Sequence, residues 1–135
     1  MSLLKAGASQ LDLTLSGHQL DQFETYYQEM FDWNKRANLT AIIEYEAVQV
    51  KHFLDSLTVC LTARDILVGS AQAPTRVIDV GAGAGLPGLA LKLTFPEIEL
   101  VLVESVAKKT AFLDHMVETL GLDGVSVHTG RSEDL

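Results

Sequence analysis

The sequence is short of cysteine and of positive charge, and each shortage closes off a class of protein. A single cysteine, Cys60, among 135 residues excludes an internal disulfide and a zinc site built from several cysteines. It reads as a small buried apolar residue. Ten lysines and arginines against eighteen acids leave a formal net charge of −8. That excludes a protein whose whole surface attracts nucleic acid, so any RNA or DNA contact must be local. No apolar run approaches the roughly 18 residues of a membrane-spanning helix, and the N-terminus lacks a basic segment followed by a long apolar one. These absences predict a soluble, cytoplasmic protein without a membrane partner. His18, His52, His115 and His128 show no metal-ligand spacing, and no metal is expected. What is present is 47% hydrophobic content, enough for a core in one domain or in a small domain with an appendage.

The rest is organised around Arg76-Val-Ile-Asp-Val-Gly-Ala-Gly-Ala-Gly-Leu-Pro-Gly88. Five residues of β bias run into glycines at 81, 83 and 85 and then into an apolar segment, Leu89 to Phe95, which reads as strand, turn and helix. Glycines carry no Cβ, so their backbone N–H groups can lie against a ligand at the positive end of a helix. A nucleotide-like ligand is the natural occupant, and Pro87 suits a first helical turn. Gly83-Ala-Gly85-Leu-Pro-Gly88 satisfies the dinucleotide fingerprint G-x-G-x-x-G, but its first glycine falls three residues after the strand rather than at its end. Anchored at the strand end, Asp79-Val-Gly81-Ala-Gly83-Ala-Gly85 instead resembles the class I methyltransferases, whose D/E-x-G-x-G turn holds S-adenosylmethionine. Glu104 closes the next strand, Glu99 to Val103, where a carboxylate can accept both ribose hydroxyls under either reading. Two alternatives stay open: an NAD-dependent oxidoreductase domain using the same glycines and acid, and glycines that serve close packing alone.

In chain order, residues 1–15 carry leucines without a clear period and read as a loose lead-in or a short helix. Ser16-Gly-His-Gln19 matches a capping box, and Leu20, Phe23, Tyr27, Met30 and Asn34 follow at helical spacing, predicting a helix that ends near Ala37. Tyr26, Phe31 and Trp33 widen its apolar face and read as packing. Asn38-Leu-Thr40 breaks the pattern. A second helix, with Glu44 and Glu46 at its start, is predicted to bury Ala47, Val50, Leu54, Leu57 and Leu61. His52, Asp55 and Ser56 fall off that stripe, as a functional face or as solvated residues. Residues 67–75 read as a connector, and Pro96 stops the helix after the turn. Ile98 to Val103 is a nearly continuous apolar run, as in a parallel strand covered on both faces. A helix bearing Phe112, Leu113, Met116, Val117 and Leu120 closes at Gly121, and Val125 to Thr129 forms a third strand. A sheet of only three strands would leave an edge bare, so the chain is expected to be a truncated form.

Four blocks in order, Trp33-Asn-Lys-Arg-Ala-Asn-Leu-Thr-Ala-Ile42, His52-Phe-Leu-Asp-Ser56, the turn Asp79 to Gly88 and Glu104-Ser-Val-Ala-Lys-Lys109, are similar to the bacterial RsmG family, also called glucose-inhibited division protein B. The resemblance covers nearly all of residues 16–135. It implies an α/β, Rossmann-like class I methyltransferase fold, with an N-terminal helical cap (residues 1–70), a partial S-adenosyl-L-methionine-binding core (71–135), and the C-terminal part of the sheet missing. It further implies methylation of N7 of a guanine in 16S ribosomal RNA, presented as RNA or as the small ribosomal subunit. Gly81 and Leu86 would line the cofactor beside Gly83 and Gly85, with Asp79 nearby. Glu104 would bind the ribose, and Ser132 and Glu133 would meet the adenine. No residue matches the cofactor-side arginine of that family, which leaves a folded, non-catalytic fragment as a further alternative. Lys35, Arg36, Lys51, Lys108 and Lys109 are candidate RNA contacts or solvated helix residues. No catalytic acid–base pair is expected, because guanine N7 carries a free lone pair and no proton.

Overall fold

The computed structural model describes residues 1–68 and 74–131. Ser132 and Glu133, part of the 67–75 connector and the side chain of Cys60 lie outside what it describes. Three parallel strands, β1 (Arg76–Val80), β2 (Glu99–Glu104) and β3 (Val125–Thr129), form a sheet in the order β1-β2-β3. Val77 pairs with Leu100, and Leu100 with Val125; Asp79 pairs with Leu102, and Leu102 with Val127. The crossovers are α6 (Gly88–Thr94) and α7 (Ala107–Leu120). α6 stops where Phe95 leaves the helical region ahead of Pro96, and α7 stops at Gly121 in the left-handed conformation.

Both helices lie on one face. Gly88 of α6 sits against Asp79 and Leu102, and Thr129 of β3 donates a hydrogen bond to Thr110 of α7 at 2.9 Å. By register, Asp79, Leu102 and Thr129 share that face. The opposite face carries Ile78 and Val80, 59% and 58% exposed. Among the described residues the sheet is therefore covered on one side. β2, expected to be covered on both faces, buries Leu100 and Leu102 on the helix side and Val103 on the other, while Val101 is only half-buried; β1 leaves one face exposed.

The covering layer is helical. Residues 2–10, read as a lead-in or a short helix, form α1 (Ser2–Gln10), which buries Leu4 and Ala8. α2 (Gly17–Ala37) begins with the predicted capping box: the Gln19 N–H donates to Ser16 Oγ at 3.1 Å, and the Ser16 N–H donates to Gln19 Oε1 at 2.8 Å. The Gln19 amide nitrogen also donates to the Leu93 and Thr94 carbonyls at the end of α6. Phe23, Tyr26, Tyr27 and Met30 are buried, and the helix closes at Asn38 with φ 47°. Phe23 and Tyr26 pack at a tilt against Phe53, with ring centres 5.0 and 5.1 Å apart, and Tyr26 stacks on Phe112 at 6.5 Å. These rings join the layer to the crossover helices in one apolar cluster. No described helix is long and apolar enough to cross a membrane.

The second predicted helix needs correction. It is α3 (Tyr45–Val48), a π turn (Gln49–Leu54), α4 (Asp55–Leu57) and, after a break at Thr58 and Val59, α5 (Cys60–Val68), which runs into the predicted connector. A π turn holds more residues than an α turn and rotates everything after it. Of the expected stripe only Leu57 is fully buried, while Val50 and Leu61 are 45% and 68% exposed. Phe53, Gln49 and Ser56 go inward instead. Gln49 accepts from the Leu4 N–H at 3.2 Å, which fixes α1 to the turn.

Candidate functional site

β1 ends by handing its backbone to its neighbour: the N–H groups of Gly81 and Ala82 both donate to the Val103 carbonyl, at 2.8 and 3.1 Å. The chain then folds back on itself through Gly85 N–H to Ala82 O at 2.7 Å and enters α6 through Leu89 N–H to Gly85 O at 2.6 Å. Gly81 and Gly83 have φ of +72° and +53°, a region that residues with a Cβ enter at a cost. A Cβ added at Gly81 would meet nothing within 4 Å, and one at Gly83 only the Gly81 carbonyl at 3.9 Å. The space over these two peptides is open at the C-terminal end of the sheet, where ligands of open α/β folds bind.

The two acids picked from the sequence are both here, and both hold backbone. Glu104, 6% exposed, accepts from Gly83 N–H through Oε1 at 2.9 Å and from Val106 N–H through Oε2 at 2.8 Å. It ties the glycine turn to the start of α7. Asp79 Oδ2 accepts from Gly88 N–H at 3.0 Å and so holds the first turn of α6. Burial pushes the Asp79 carboxyl above its ordinary value, and the Gly88 N–H pulls it partly back. Each carboxylate oxygen has two lone-pair directions, so Glu104 keeps accepting capacity beyond its two backbone partners.

The structure thus brings together Asp79, Gly81, Gly83, Gly85, Leu86 and Glu104; Ser132 and Glu133 lie outside the described residues. It adds Tyr26, which sequence reasoning assigned to packing alone. The fully buried Tyr26 hydroxyl reaches from α2 to donate to the Ala84 carbonyl at 2.5 Å. Burial first, and the nearby Asp79 charge second, hold this phenol well above its ordinary pKa, so it stays a donor. The signal was present in the spacing, since Phe23, Tyr26 and Met30 also stand at i, i+3 and i+7.

The residues off the mispredicted stripe form a separate network. Asn34 Oδ1 accepts from Thr40 N–H at 2.9 Å, Thr40 Oγ1 bonds His52 Nε2 at 2.7 Å, and Ser56 Oγ donates to the His52 carbonyl at 2.6 Å. Burial pushes the His52 imidazole below its ordinary value. Asp55 is exposed. Two of the quoted blocks, around Trp33 to Ile42 and His52 to Ser56, therefore meet in space through these bonds.

A three-stranded parallel sheet that delivers a glycine-rich turn, with an acid closing the second strand across from it, is an α/β arrangement consistent with a methyltransferase-like fold. Residues 19–135 match the family described as rRNA small subunit methyltransferase G. The chain belongs to that family, GidB. It is 48% identical over 134 residues to a ribosomal RNA small subunit methyltransferase G of Dehalococcoides mccartyi, which covers 99% of this chain and 54% of that protein. It is 43% identical over 135 residues to the protein of that name from Caldanaerobacter subterraneus, 100% of this chain and 54% of the other. The one from Halalkalibacterium halodurans is 47% identical over 120 residues, 89% and 48%. The chain spans about half the length of these curated relatives.

Proposed function

We propose that this chain carries the cofactor-binding part of an S-adenosyl-L-methionine-dependent methyltransferase acting on N7 of a guanine in 16S ribosomal RNA, in the cytoplasm. The observation that carries the reading is the open backbone of Gly81 and Gly83 at the strand ends, with the Glu104 carboxylate beside it. A side chain at either glycine would fill the cradle, so the residues present fit a nucleoside cofactor. Gly81, Gly83, Gly85 and Leu86 would line it, and Glu104 would take the ribose hydroxyls on its remaining lone pairs. Asp79 would act at one remove, by fixing α6. Ser132 and Glu133 would meet the adenine. Residues 1–70 would serve as a helical cap on the core formed by 71–135.

When bound, the cofactor supplies an electrophilic methyl group on a sulfonium. Guanine N7 attacks through its own lone pair, so the protein's task is alignment, a contribution that reaches roughly 7–11 kcal/mol in two-substrate reactions. The glycine turn does this by being rigid before binding: the Val103 carbonyl holds two of its N–H groups, and Glu104 and Tyr26 hold one peptide each. Calorimetry of this chain with S-adenosylhomocysteine and with NAD tests the reading. Saturable heat with S-adenosylhomocysteine and none with NAD is the expected result; the reverse, or no heat with either, overturns it.

A further inference from the structure

We infer that the end of the molecule where α2 finishes and α7 begins is an RNA-docking surface, with Arg36, Lys108 and Lys109 as its phosphate contacts; this rests on the ribosomal RNA methyltransferase reading above. The two helices pack antiparallel. Glu29 pairs with His115 at 2.8 Å, and Trp33, one turn further along α2, lies on His115 at 4.9 Å and on Phe112 at 5.9 Å. One more turn in the same direction reaches Arg36 on α2, while Lys108 and Lys109 stand one turn before Phe112 on α7. Three cations therefore collect at one junction of a chain whose net charge is −8. Of the exposed acids on these helices, Asp32 stands one turn before Arg36 on the same face of α2, and Asp114 lies five residues beyond Lys109 on α7.

Folding accounts for Arg36, in the last turn of α2 where the helix dipole favours a cation, but not for the two lysines. Lys108 and Lys109 occupy the first turn of α7, which holds no acid, at the helix end whose dipole disfavours positive charge. The described ion pairs, Met1 with Glu24, Arg76 with Glu99 and His115 with Glu29, include none of the three cations. Arg36 is held in place by Trp33, with its guanidinium carbon 4.2 Å from the ring centre. Lys108 and Lys109, set against local preference and outside the described ion pairs, fit a polyanionic partner. The position suits a substrate, because Val106, 45% exposed at the start of α7, is bonded to the same Glu104 carboxylate that holds Gly83. An RNA strand resting on the junction lies beside the open side of the glycine turn.

The test compares a Lys108→Glu/Lys109→Glu variant with a control of equal charge change, Lys5→Glu/Arg76→Glu. The probes are an unmodified 16S ribosomal RNA transcript, titrated over a salt series, and S-adenosylhomocysteine. The proposal expects at least a tenfold loss of RNA affinity in the first variant and a salt slope shallower by about 1.5, from roughly 0.7–0.9 per lost phosphate contact. It also expects unchanged S-adenosylhomocysteine affinity and a melting temperature equal to or above wild type, because acids now stand at a helix N-terminus. Equal RNA loss in the control, no RNA loss in the first variant, or a lowered melting temperature in it would overturn the proposal. If the wild-type chain binds S-adenosylhomocysteine but the first variant keeps its RNA affinity, only this surface is wrong. If the wild type binds neither probe, the methyltransferase reading itself fails.

Discussion

At Gly81 and Gly83 an added Cβ would find empty space, whereas at Gly85 it would stand 2.5 Å from Leu89 and 2.9 Å from the Tyr26 hydroxyl, and at Gly88 2.8 Å from Asp79 and 2.9 Å from Leu102. Four glycines within eight residues therefore do two different jobs. The first pair keeps the backbone bare toward solvent; the second lets α2, α6 and β2 close upon the turn. Under the proposed function Gly81 and Gly83 serve the cofactor alone while Gly85 and Gly88 also serve packing, so substitutions in the two pairs should fail in different ways.

The largest effect on stability is expected at Gly88→Val, which forces a branched side chain between Asp79 and Leu102. It should cost about 3 kcal/mol, at the upper end of the overpacking range, read as a shift in the urea midpoint. A wild-type midpoint would show that α6 can move away freely and would erase the distinction. Next comes Tyr26→Phe, which leaves the Ala84 carbonyl without its buried donor and should cost about 1–3 kcal/mol, with a loss of S-adenosylhomocysteine affinity measured by calorimetry. Loss of stability with full affinity retained would mean that the hydroxyl supports the core and not the turn. Gly83→Val should cost about 1–2 kcal/mol of stability through its positive φ, yet abolish S-adenosylhomocysteine binding. Normal affinity in this folded variant would place the ligand elsewhere.

The smallest effect concerns pH. Burial raises the Asp79 carboxyl in the folded state above the ordinary 3.8. Its protonated form is thus favoured by folding, and that contribution is lost as pH rises through the raised value. Wild type should lose stability relative to Asp79→Asn as pH climbs from about 3.8 into the range above it, while the Asn side chain still accepts from Gly88 N–H. Parallel stability curves for the two proteins would contradict that assignment.

What could be read in advance was whatever has a local cause. The capping box at Ser16 and Gln19, the left-handed stop at Gly121, the β bias of residues 76–80 and the nearly continuous apolar run of 98–103 each depend on a few neighbouring residues. The stretch 45–68 was misread because a periodicity argument assumes one period, and the π turn changes it midway; no residue type in Gln49-Val-Lys-His-Phe-Leu54 announces the switch. The one-sided cover of β1 depends on which elements pack where, which no pattern within β1 carries. Among the candidate site residues, the gathering of the glycines and both acids at one turn was legible from their spacing. Their division of labour was not, because it is set by Tyr26 and Leu102, 59 residues before and 17 after Gly85. The inward turn of the Asp79 and Glu104 carboxylates onto backbone N–H groups was equally out of reach.

Gln19 has a consequence for how the molecule breathes. Its side chain accepts from the N–H of Ser16, the cap of α2, and donates to the last carbonyls of α6, so neither helix end can fray without releasing the other. Native-state hydrogen exchange should therefore find the amides that open with the start of α2 and those near residue 94 sharing one opening free energy, although 75 positions separate them in the chain. The helix that follows the glycine turn would then exchange in step with the beginning of the covering layer, as one cooperative unit in time.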